Sequence, residues 1–401
     1  MVNKEKIYLD NAATTNLGAE VLNAMLPVMT NVFGNSSSMH SFGNEASNLV
    51  EQSRETIAET INAKSNEIYF TASGSEANSW ALIGIANANR SKGNHIIVSK
   101  IEHPSIMEAC KYLEKDGFSV TYLDVDSNGF INFAEFLRAI KSSTILVSII
   151  AANNEIGTIQ NIKAISQTAH EKGVIFHTDA VQLYGNMTLD VEDLGIDAMT
   201  ISAHKIYGPK GVGALYLSNK VKIDPIVFGG SQERGKRGGT VDTAGVVGFA
   251  KASEVAIRDM KTNNHKLRAL SEYFTSKLSQ TVENVKFIAN TRQKLPHIIS
   301  AIFVGVDGES LLTKLDMNGV AVSTGSACSI RPLSVSHVMA AIGLKTDDAR
   351  CVIRFSIGKN NSYEEIDKAV TIIAKSVEEL RAFSSTYGMK TRKRKGDRED
   401  V

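Results

Sequence analysis

The sequence contains few of the residues that cross-link small proteins. Only three cysteines occur in 401 residues, Cys110, Cys328 and Cys351, and none belongs to a CxxC pair. A disulfide framework and a cysteine-based zinc site are therefore excluded, and each cysteine is interpreted as a thiol. The Walker motif GxxxxGK[ST] and the GxGxxG fingerprint are also missing, which excludes the two commonest nucleotide-binding loops.

An excess of charge of one sign is missing too. Lys and Arg number 44, Asp and Glu number 43, and the formal net charge is +1. This balance gives no reason to expect a membrane surface or direct nucleic-acid binding. The N-terminus has no apolar signal core and no later run approaches bilayer length, so we expect a cytoplasmic protein. The charged tail, 386–401, is expected to be disordered, although a contact with RNA or an acidic protein stays open.

Short β-branched runs alternate with segments of helical periodicity between residues 67 and 217. The predicted strands are 68–71, 96–99, 119–123, 144–150, 174–178, 198–202 and 212–217, and the predicted helices include 75–90, 104–115 and 162–172. This rhythm is typical of βαβ units, so we expect an α/β fold with a mostly parallel sheet between helices. Beyond residue 260 the pattern becomes helix-rich α+β. It predicts a large domain, 16–260, and a small domain formed by 1–15 and 261–385.

The decapeptide SAHKIYGPKG at 202–211 follows an apolar strand and carries Lys205 at the strand exit. A lysine beside a serine, a histidine and glycines suits a Schiff base with pyridoxal phosphate. Upstream, a second buried-strand pattern ends in Asp179, and pyridoxal enzymes need an acid to keep the pyridine nitrogen protonated. An isolated lysine of this kind is most often a surface residue, so the interpretation depends on the other residues of the motif and of the predicted site.

Further polar residues follow other strands of the predicted sheet. Gly74 and Ser75 stand between a strand and a helix, where main-chain N–H groups and a hydroxyl suit a phosphate. His103 precedes a helix that begins with proline, and could stack on a flat ring and shuttle protons. Asn154, Gln182, Ser202 and His204 also leave strands at their carboxyl ends, where α/β sheets bind ligands.

One motif that matches a metal site is rejected. Residues 124–135 fit the EF-hand pattern D-x-[DN]-x-[DN]-G-x5-E at every position. A calcium loop needs a helix before it, whereas 118–123 is β-branched and predicts a strand. We therefore expect a strand, an Asn-Gly turn and a helix here, and no metal site.

Two residues of the C-terminal third are unusual for their surroundings. Cys328 lies in a loop of small residues, and exposed loop thiols are uncommon unless they have a function, because they are prone to oxidation. Arg354 is a charge inside an apolar strand and needs an anionic partner. That partner is either a substrate carboxylate or a structural acid, and the sequence alone leaves both open.

Together these motifs resemble the cysteine desulfurase family, in the class V aminotransferase branch of fold-type I pyridoxal phosphate enzymes. The resemblance rests on EHPS, NNEIG, HTDAVQ, SAHKIYGPKG, RGGT and TGSAC, which occur in that order between residues 102 and 328. It extends from the N-terminal LDNAATT to the strand around Arg354. It implies a fold-type I transferase, with a large domain holding the cofactor and a small α+β domain carrying Cys328.

The resemblance also implies residue roles. Lys205 would be the Schiff-base lysine, Asp179 the partner of the pyridinium nitrogen, and His103 the group stacked on the ring. Gln182 would bind the phenolic oxygen. The implied phosphate ligands are Ser75, Ser202, His204 and, from the second subunit of a homodimer, Thr240. The implied ligands of the substrate carboxylate are Asn35, Asn154 and Arg354.

The implied activity is removal of sulfur from L-cysteine, which leaves a persulfide on Cys328 and releases L-alanine. The sulfur would pass to an acceptor protein, either an iron–sulfur scaffold or a tRNA-thiolation enzyme. Asn16 and Ser36 replace the prolines usual in the family, and 329–336 lacks the usual Leu-Glu-Pro-Ser ending. The alternatives are a selenocysteine lyase or aminotransferase of the same branch, and a non-catalytic scaffold.

Overall fold

The computed structural model describes residues 6–289, 291–324 and 335–382. Its strands are β1 (Ile7–Tyr8), β2 (Ile68–Thr71), β3 (His95–Ser99), β4 (Ser119–Leu123), β5 (Thr144–Ser148), β6 (Ile175–Asp179), β7 (Ala198–Ser202), β8 (Gly213–Leu217), β9 (Val285–Phe287), β10 (Ile298–Phe303), β11 (Val320–Ala321) and β12 (Val352–Ser356). Its α-helices are α1 (Ala19–Asn31), α2 (Ser41–Glu59), α3 (Gly74–Ala88), α4 (Pro104–Lys115), α5 (Phe133–Ala139), α6 (Ile162–Glu171), α7 (Thr243–Thr281), α8 (Gly308–Met317), α9 (His337–Ala341), α10 (Thr346–Ala349) and α11 (Tyr363–Ala382).

Seven strands form the main sheet in the order β2-β8-β7-β6-β5-β3-β4. The pairs among β3 to β7 are all parallel, and only β8 is antiparallel to its neighbours, β2 and β7. The mostly parallel sheet predicted from the sequence is confirmed. Each strand predicted between residues 67 and 217 is present, with ends that differ by at most two residues.

Alternate side chains of this sheet enter two different hydrophobic clusters. Ile97 packs with Val147 and Phe176 on one face, while Ile96 and Val98 pack on the other face against α3 and α4. Successive residues of a strand point to opposite faces, so apolar residues at every position bury both sides. This explains why the strand sequences are continuously apolar.

A smaller unit is built around two short sheets, the parallel pair β1-β11 and the antiparallel sheet β12-β10-β9. Its core takes one face of α11 and the C-terminal half of α7, including Leu267, Leu270, Phe274 and Leu278. Helix α7 is continuous over 39 residues and also packs on α1 and α2 of the larger unit. The exact domain limits stay a prediction.

The segment that matches the EF-hand pattern begins after a strand, β4, as expected. The Asp126 carboxylate accepts the main-chain N–H groups of Asn128 and Phe130, both at 2.9 Å. Gly129 has a φ of +84°, a conformation that favours glycine, and α5 follows. The acid therefore fixes a turn between a strand and a helix. Within the described part of the chain, no helix has the length and apolarity that a membrane crossing requires.

Candidate active site

Five strands that run in the same direction, β2, β3, β5, β6 and β7, end beside one cavity of about 430 Å³. The segments after these strands bring ten predicted site residues to its wall together with β12: Gly74, Ser75, His103, Asn154, Asp179, Gln182, Ser202, His204, Lys205 and Arg354. The carboxyl ends of parallel strands are the usual ligand-binding edge of an α/β sheet. The fold thus gathers residues that lie up to 280 positions apart in the sequence.

Lys205 ends a short 3-10 turn, Ala203–Lys205, that begins where β7 stops. Its Nζ donates to the main-chain carbonyl oxygens of Ala12, at 2.7 Å, and Ala13, at 2.6 Å. The N-terminal segment therefore passes directly beside the amine. Gln182 donates through Nε2 to the same Ala12 carbonyl, at 2.9 Å, so both side chains are held at this point.

Asp179 is the last residue of β6, and its side chain is buried. Its Oδ2 accepts from Asn78 Nδ2 at 2.7 Å, and its Oδ1 accepts from the main-chain N–H of Val181 at 3.0 Å. Two donors of fixed direction keep the carboxylate at the floor of the cavity. Asn78 was not identified from the sequence. Its place one turn into α3, near the end of the predicted strand, was the available signal.

His103 is the N-cap residue of α4, and its Nδ1 accepts the main-chain N–H of Ser105 at 3.2 Å. The Ser105 hydroxyl lies 2.8 Å from the same nitrogen. Burial lowers the pKa of His103, against the opposing charge of Asp179. Asn78 Nδ2 also donates to Ser105 Oγ at 2.9 Å. The Asn78 amide thus links Asp179 to Ser105, which in turn contacts His103.

The first turn of α3 forms another part of the wall. Ser73 is its N-cap, and its Oγ accepts from the Glu76 main-chain N–H at 3.1 Å. The other first-turn N–H groups have no partner within the helix, and such groups bind anions. A Cβ at Gly74 would lie 3.1 Å from Val181 Cγ2 and 3.4 Å from Ser202 Cβ, so a side chain here would require these neighbours to shift.

Two polar side chains complete this end of the cavity. Ser202 Oγ is buried and has no hydrogen-bond partner among the described residues. His204 Nδ1 lies 3.1 Å from Thr14 Oγ1, and burial is the main cause that lowers the pKa of His204 to about 4. The imidazole is therefore neutral at pH 7 and offers a hydrogen bond without a charge.

The donors and acceptors present fit pyridoxal phosphate. The cavity offers an amine for the carbonyl, a buried carboxylate for the ring nitrogen, and a histidine beside both. The orphaned Ser202 hydroxyl and the α3 N-terminus offer hydrogen-bond donors to a phosphate.

Arg354 lies on β12 at the side of the cavity formed by the smaller unit, and is 5% exposed. Its Nη2 donates to Asp10 Oδ1 at 2.8 Å, and its Nη1 donates to the main-chain carbonyl of Asn154 at 3.0 Å. The anionic partner required by the sequence is therefore present within the chain. Asp10 also lines the cavity, so the arginine lies beside the space for a ligand.

Two buried acids near the cavity were not identified from the sequence. Glu102 is fully buried, its Oε1 accepts from Ser99 Oγ and from Ile150 N, and burial raises its pKa to about 8. Burial likewise raises the pKa of Glu155 to about 7, against a hydrogen bond from Ser336 Oγ at 2.7 Å. Each follows an apolar strand, in the EHPS and NNEIG motifs, and that pattern was the available signal.

Two predicted residues of the described chain, Asn35 and Thr240, do not line the cavity. Asn35 is exposed, and its Oδ1 accepts the main-chain N–H of Ser37 at 2.9 Å. Thr240 is exposed in the segment before α7. Cys328 lies outside the described residues. Cys110 is buried in α4 and Cys351 is half-buried beside β12, and burial raises the pKa of both thiols.

Comparisons with known proteins cover almost the whole chain. The family model Aminotransferase class-V matches residues 7–369. Cysteine desulfurase IscS of Clostridium botulinum (strain Kyoto / Type A2) is 46% identical over 385 residues, 96% of this chain and 97% of that protein. Cysteine desulfurase IscS of Methanosarcina thermophila is 43% identical over 378 residues, 94% of this chain and 93% of that protein.

Solved structures are similar over the same length. A NifS-like protein superposes with a TM-score of 0.88 at 35% sequence identity, covering 94% of this chain and 100% of that chain. The structure described as SspA in complex with cysteine superposes with a TM-score of 0.79 at 34% identity, covering 89% of this chain and 100% of that chain. The similarity therefore includes both the main sheet and the smaller unit.

Proposed function

The chain belongs to the class-V aminotransferases and, within them, to the pyridoxal phosphate-dependent cysteine desulfurases, and we propose that Lys205, Asp179, His103 and Cys328 carry this activity. The enzyme takes sulfur from L-cysteine and leaves L-alanine. The assignment of the first three residues depends on one observation, their convergence on a single cavity from three different strand ends.

We propose that Lys205 binds the carbonyl of the cofactor and that Asp179 faces the ring nitrogen, with Gln182 at the phenolic oxygen. Ser75, Ser202 and His204 hold the phosphate. When bound, pyridoxal phosphate withdraws electrons from the α-carbon of the substrate. Asp179 supports this through its negative charge, which Asn78 and the Val181 N–H keep in place.

His103 is the proton-transfer group beside Lys205. Burial lowers the pKa of its ring, so the neutral imidazole can take up a proton as a general base and return it as the imidazolium. Arg354 and Asn154 bind the substrate carboxylate. An arginine has five N–H donors, of which Asp10 and the Asn154 carbonyl use one each, so donors remain for a ligand.

The thiol that takes the sulfur is that of Cys328, which the sequence places in a loop of small residues. The Cys328 thiolate attacks the sulfur of L-cysteine, forming an S–S bond while the carbon–sulfur bond breaks. The electron pair of the broken bond stays with the substrate β-carbon, which takes up one proton to become the methyl group of L-alanine. Product analysis tests this step: L-cysteine should give alanine and sulfide in equal amounts with dithiothreitol, whereas an aminotransferase would give an oxo acid. Selenocysteine lyase activity is the second candidate, and parallel assays with selenocysteine decide between them.

We further propose that the protein is a homodimer whose sites share Thr240 across the interface. Thr240 is exposed and lies outside its own cavity. Large apolar side chains are also exposed on the same chain, among them Phe33 at 77%, Met39 at 97% and Phe228 at 83%. Such surfaces are typical of protein–protein contacts.

A complementation experiment tests the shared site. Lys205→Ala and Thr240→Val are each expected to be nearly inactive as homodimers. After mixing and subunit exchange, a heterodimer contains one site with both native residues, so activity should return. If Thr240 serves its own chain, the mixture stays as inactive as its components.

We propose that the persulfide passes to an acceptor protein, an iron–sulfur scaffold or a tRNA-thiolation enzyme, in the cytoplasm. The name IscS of the curated relatives favours the first. Incubating persulfide-loaded protein with each purified acceptor, and following labelled sulfur to acceptor cysteines, tests the choice. Transfer to neither acceptor contradicts it.

A further inference from the structure

The N-terminal segment lies between Lys205 and Arg354, which face the amine and the carboxylate of a bound amino acid in the proposed site. An α-amino acid has its amine and its carboxylate at a fixed separation, so the enzyme must fix the distance between Lys205 and Arg354. These two residues lie on different sheets, at the end of β7 and on β12. The segment Asp10–Thr14 contacts both of them.

Asp10 is itself held firmly beside β12. It forms a parallel bridge with Ser356, the Ser356 N–H donates to Leu9 O at 2.7 Å, and the Ala12 N–H donates to Ser356 Oγ at 2.8 Å. Ser356 lies two residues beyond Arg354 on the same strand. The main chain therefore presents the Asp10 carboxylate to Arg354 Nη2 at 2.8 Å.

The main-chain carbonyl of Asp10 serves the other side. It accepts the Ala13 N–H at 3.0 Å and folds residues 10–13 into a turn. This turn directs the carbonyl oxygens of Ala12 and Ala13 to Lys205 Nζ. One residue thus connects the arginine, through its side chain, with the lysine, through its main chain.

We propose that Asp10 is a positioning residue whose carboxylate fixes the Arg354 guanidinium for the substrate carboxylate, so that the enzyme selects α-amino acids over simple amines. The inference rests on the proposed role of Arg354. Charge-assisted hydrogen bonds are short and directional, and an arginine held by two acceptors loses little freedom when a third partner binds. Without Asp10, the Asn154 carbonyl would be the one acceptor left to the guanidinium among the residues that the structure describes.

The test compares L-alanine, the reaction product, with ethylamine, which has the same amine and methyl group but no carboxylate. Binding of each to the holoenzyme is followed by the absorbance change of the cofactor, a readout independent of turnover. Asp10→Ala should weaken L-alanine binding about tenfold, the equivalent of one lost charge-assisted hydrogen bond. Ethylamine binding should change less than about twofold, because no charged partner of the ligand is altered.

Asp10→Asn keeps an accepting oxygen without the charge, so its L-alanine affinity should lie between those of the wild type and Asp10→Ala. With L-cysteine as substrate, KM should rise in both variants while kcat stays close to the wild-type value. Asp193→Asn is the matched control, since it removes an exposed acid of a surface ion pair with Lys163. Melting temperatures of all variants show that they are folded.

Arg354→Gln separates the inference from the proposed function. If Arg354→Gln loses L-alanine selectively while both Asp10 variants bind it like the wild type, Asp10 is not a positioning residue. Tighter L-alanine binding by Asp10→Asn would show that Asp10 competes with the substrate, and would also overturn the inference. If Arg354→Gln binds L-alanine normally, the carboxylate site itself is misassigned and the inference falls with it.

Discussion

Replacing Glu102 with glutamine is expected to remove a large pH dependence from the stability of this protein. The carboxyl group is fully buried beside His103, accepts hydrogen bonds from Ser99 and Ile150, and has one oxygen without a partner among the described residues. Burial is the largest cause that raises its pKa from 4.5 to about 8, and the charge of Asp179 adds to it. Glutamine keeps an accepting oxygen and is neutral at every pH.

The sign of the effect follows from proton linkage. Folding raises the pKa of Glu102, so the folded state holds this proton more tightly than the unfolded chain. The resulting stabilisation is complete below about pH 4.5 and is lost as the pH rises towards 8. At ~1.4 kcal/mol for each pH unit, the full loss is on the order of 5 kcal/mol. Glu155 acts in the same direction, but it is present in both proteins and does not alter their difference.

Urea unfolding at several values between pH 5 and pH 8 measures this difference directly. The free energy of unfolding of the wild type, minus that of Glu102→Gln, should fall by several kcal/mol across the range. Cofactor and protein concentrations are kept equal, because both shift the apparent stability. Glu108→Gln is the control, as Glu108 is exposed on α4 and pairs with Lys111. If the wild-type free energy of unfolding minus that of Glu102→Gln stays as constant with pH as it does for Glu108→Gln, Glu102 is not a buried neutral acid.

Other perturbations address the cofactor residues. Lys205→Ala should leave no covalent bond to pyridoxal phosphate for borohydride to fix, whereas Lys210→Ala should still be labelled; a label on Lys210 in the wild type would contradict the assignment. Asp179→Ala should keep some cofactor through its phosphate, yet lose turnover by about two orders of magnitude or more, as when preorganised charge is removed. Near-normal turnover of that variant would disprove the role of Asp179. Asn78→Ala should lower turnover less, because Asp179 keeps its bond from the Val181 N–H, and a wild-type rate would show that the amide is dispensable.

The sequence predicted most of the main sheet because its strands are apolar and short and are separated by helices of clear periodicity. Predicted and observed bounds agree for β2, β4 and β7. The reversed direction of β8 could not be predicted, since strand direction depends on pairing with β2 and β7 rather than on local sequence. Local sequence also did not show that α7 runs without a break through residue 260, where the change of pattern predicts a domain boundary.

The candidate site was predictable where a polar residue follows an apolar strand, as with Asp179 and Lys205. The pair between Asp10 and Arg354 joins residues 344 positions apart, and no local pattern indicates which acid meets the arginine. Asn78 could not be identified for the same reason. An asparagine in a helix is common, and only the fold places Asp179 beside it. Sequence motifs therefore do not show which residues, distant in the chain, contact each other in the site.

The most direct test of the sulfur-transfer mechanism is to find the atom that receives the sulfur. The wild type and Cys328→Ser are each treated with one equivalent of L-cysteine, digested and examined by mass spectrometry. The wild type should carry one additional sulfur atom on Cys328, while the variant keeps its cofactor, forms no persulfide and releases no sulfide. An additional sulfur on Cys110 or Cys351, or sulfide release by Cys328→Ser, would contradict the mechanism.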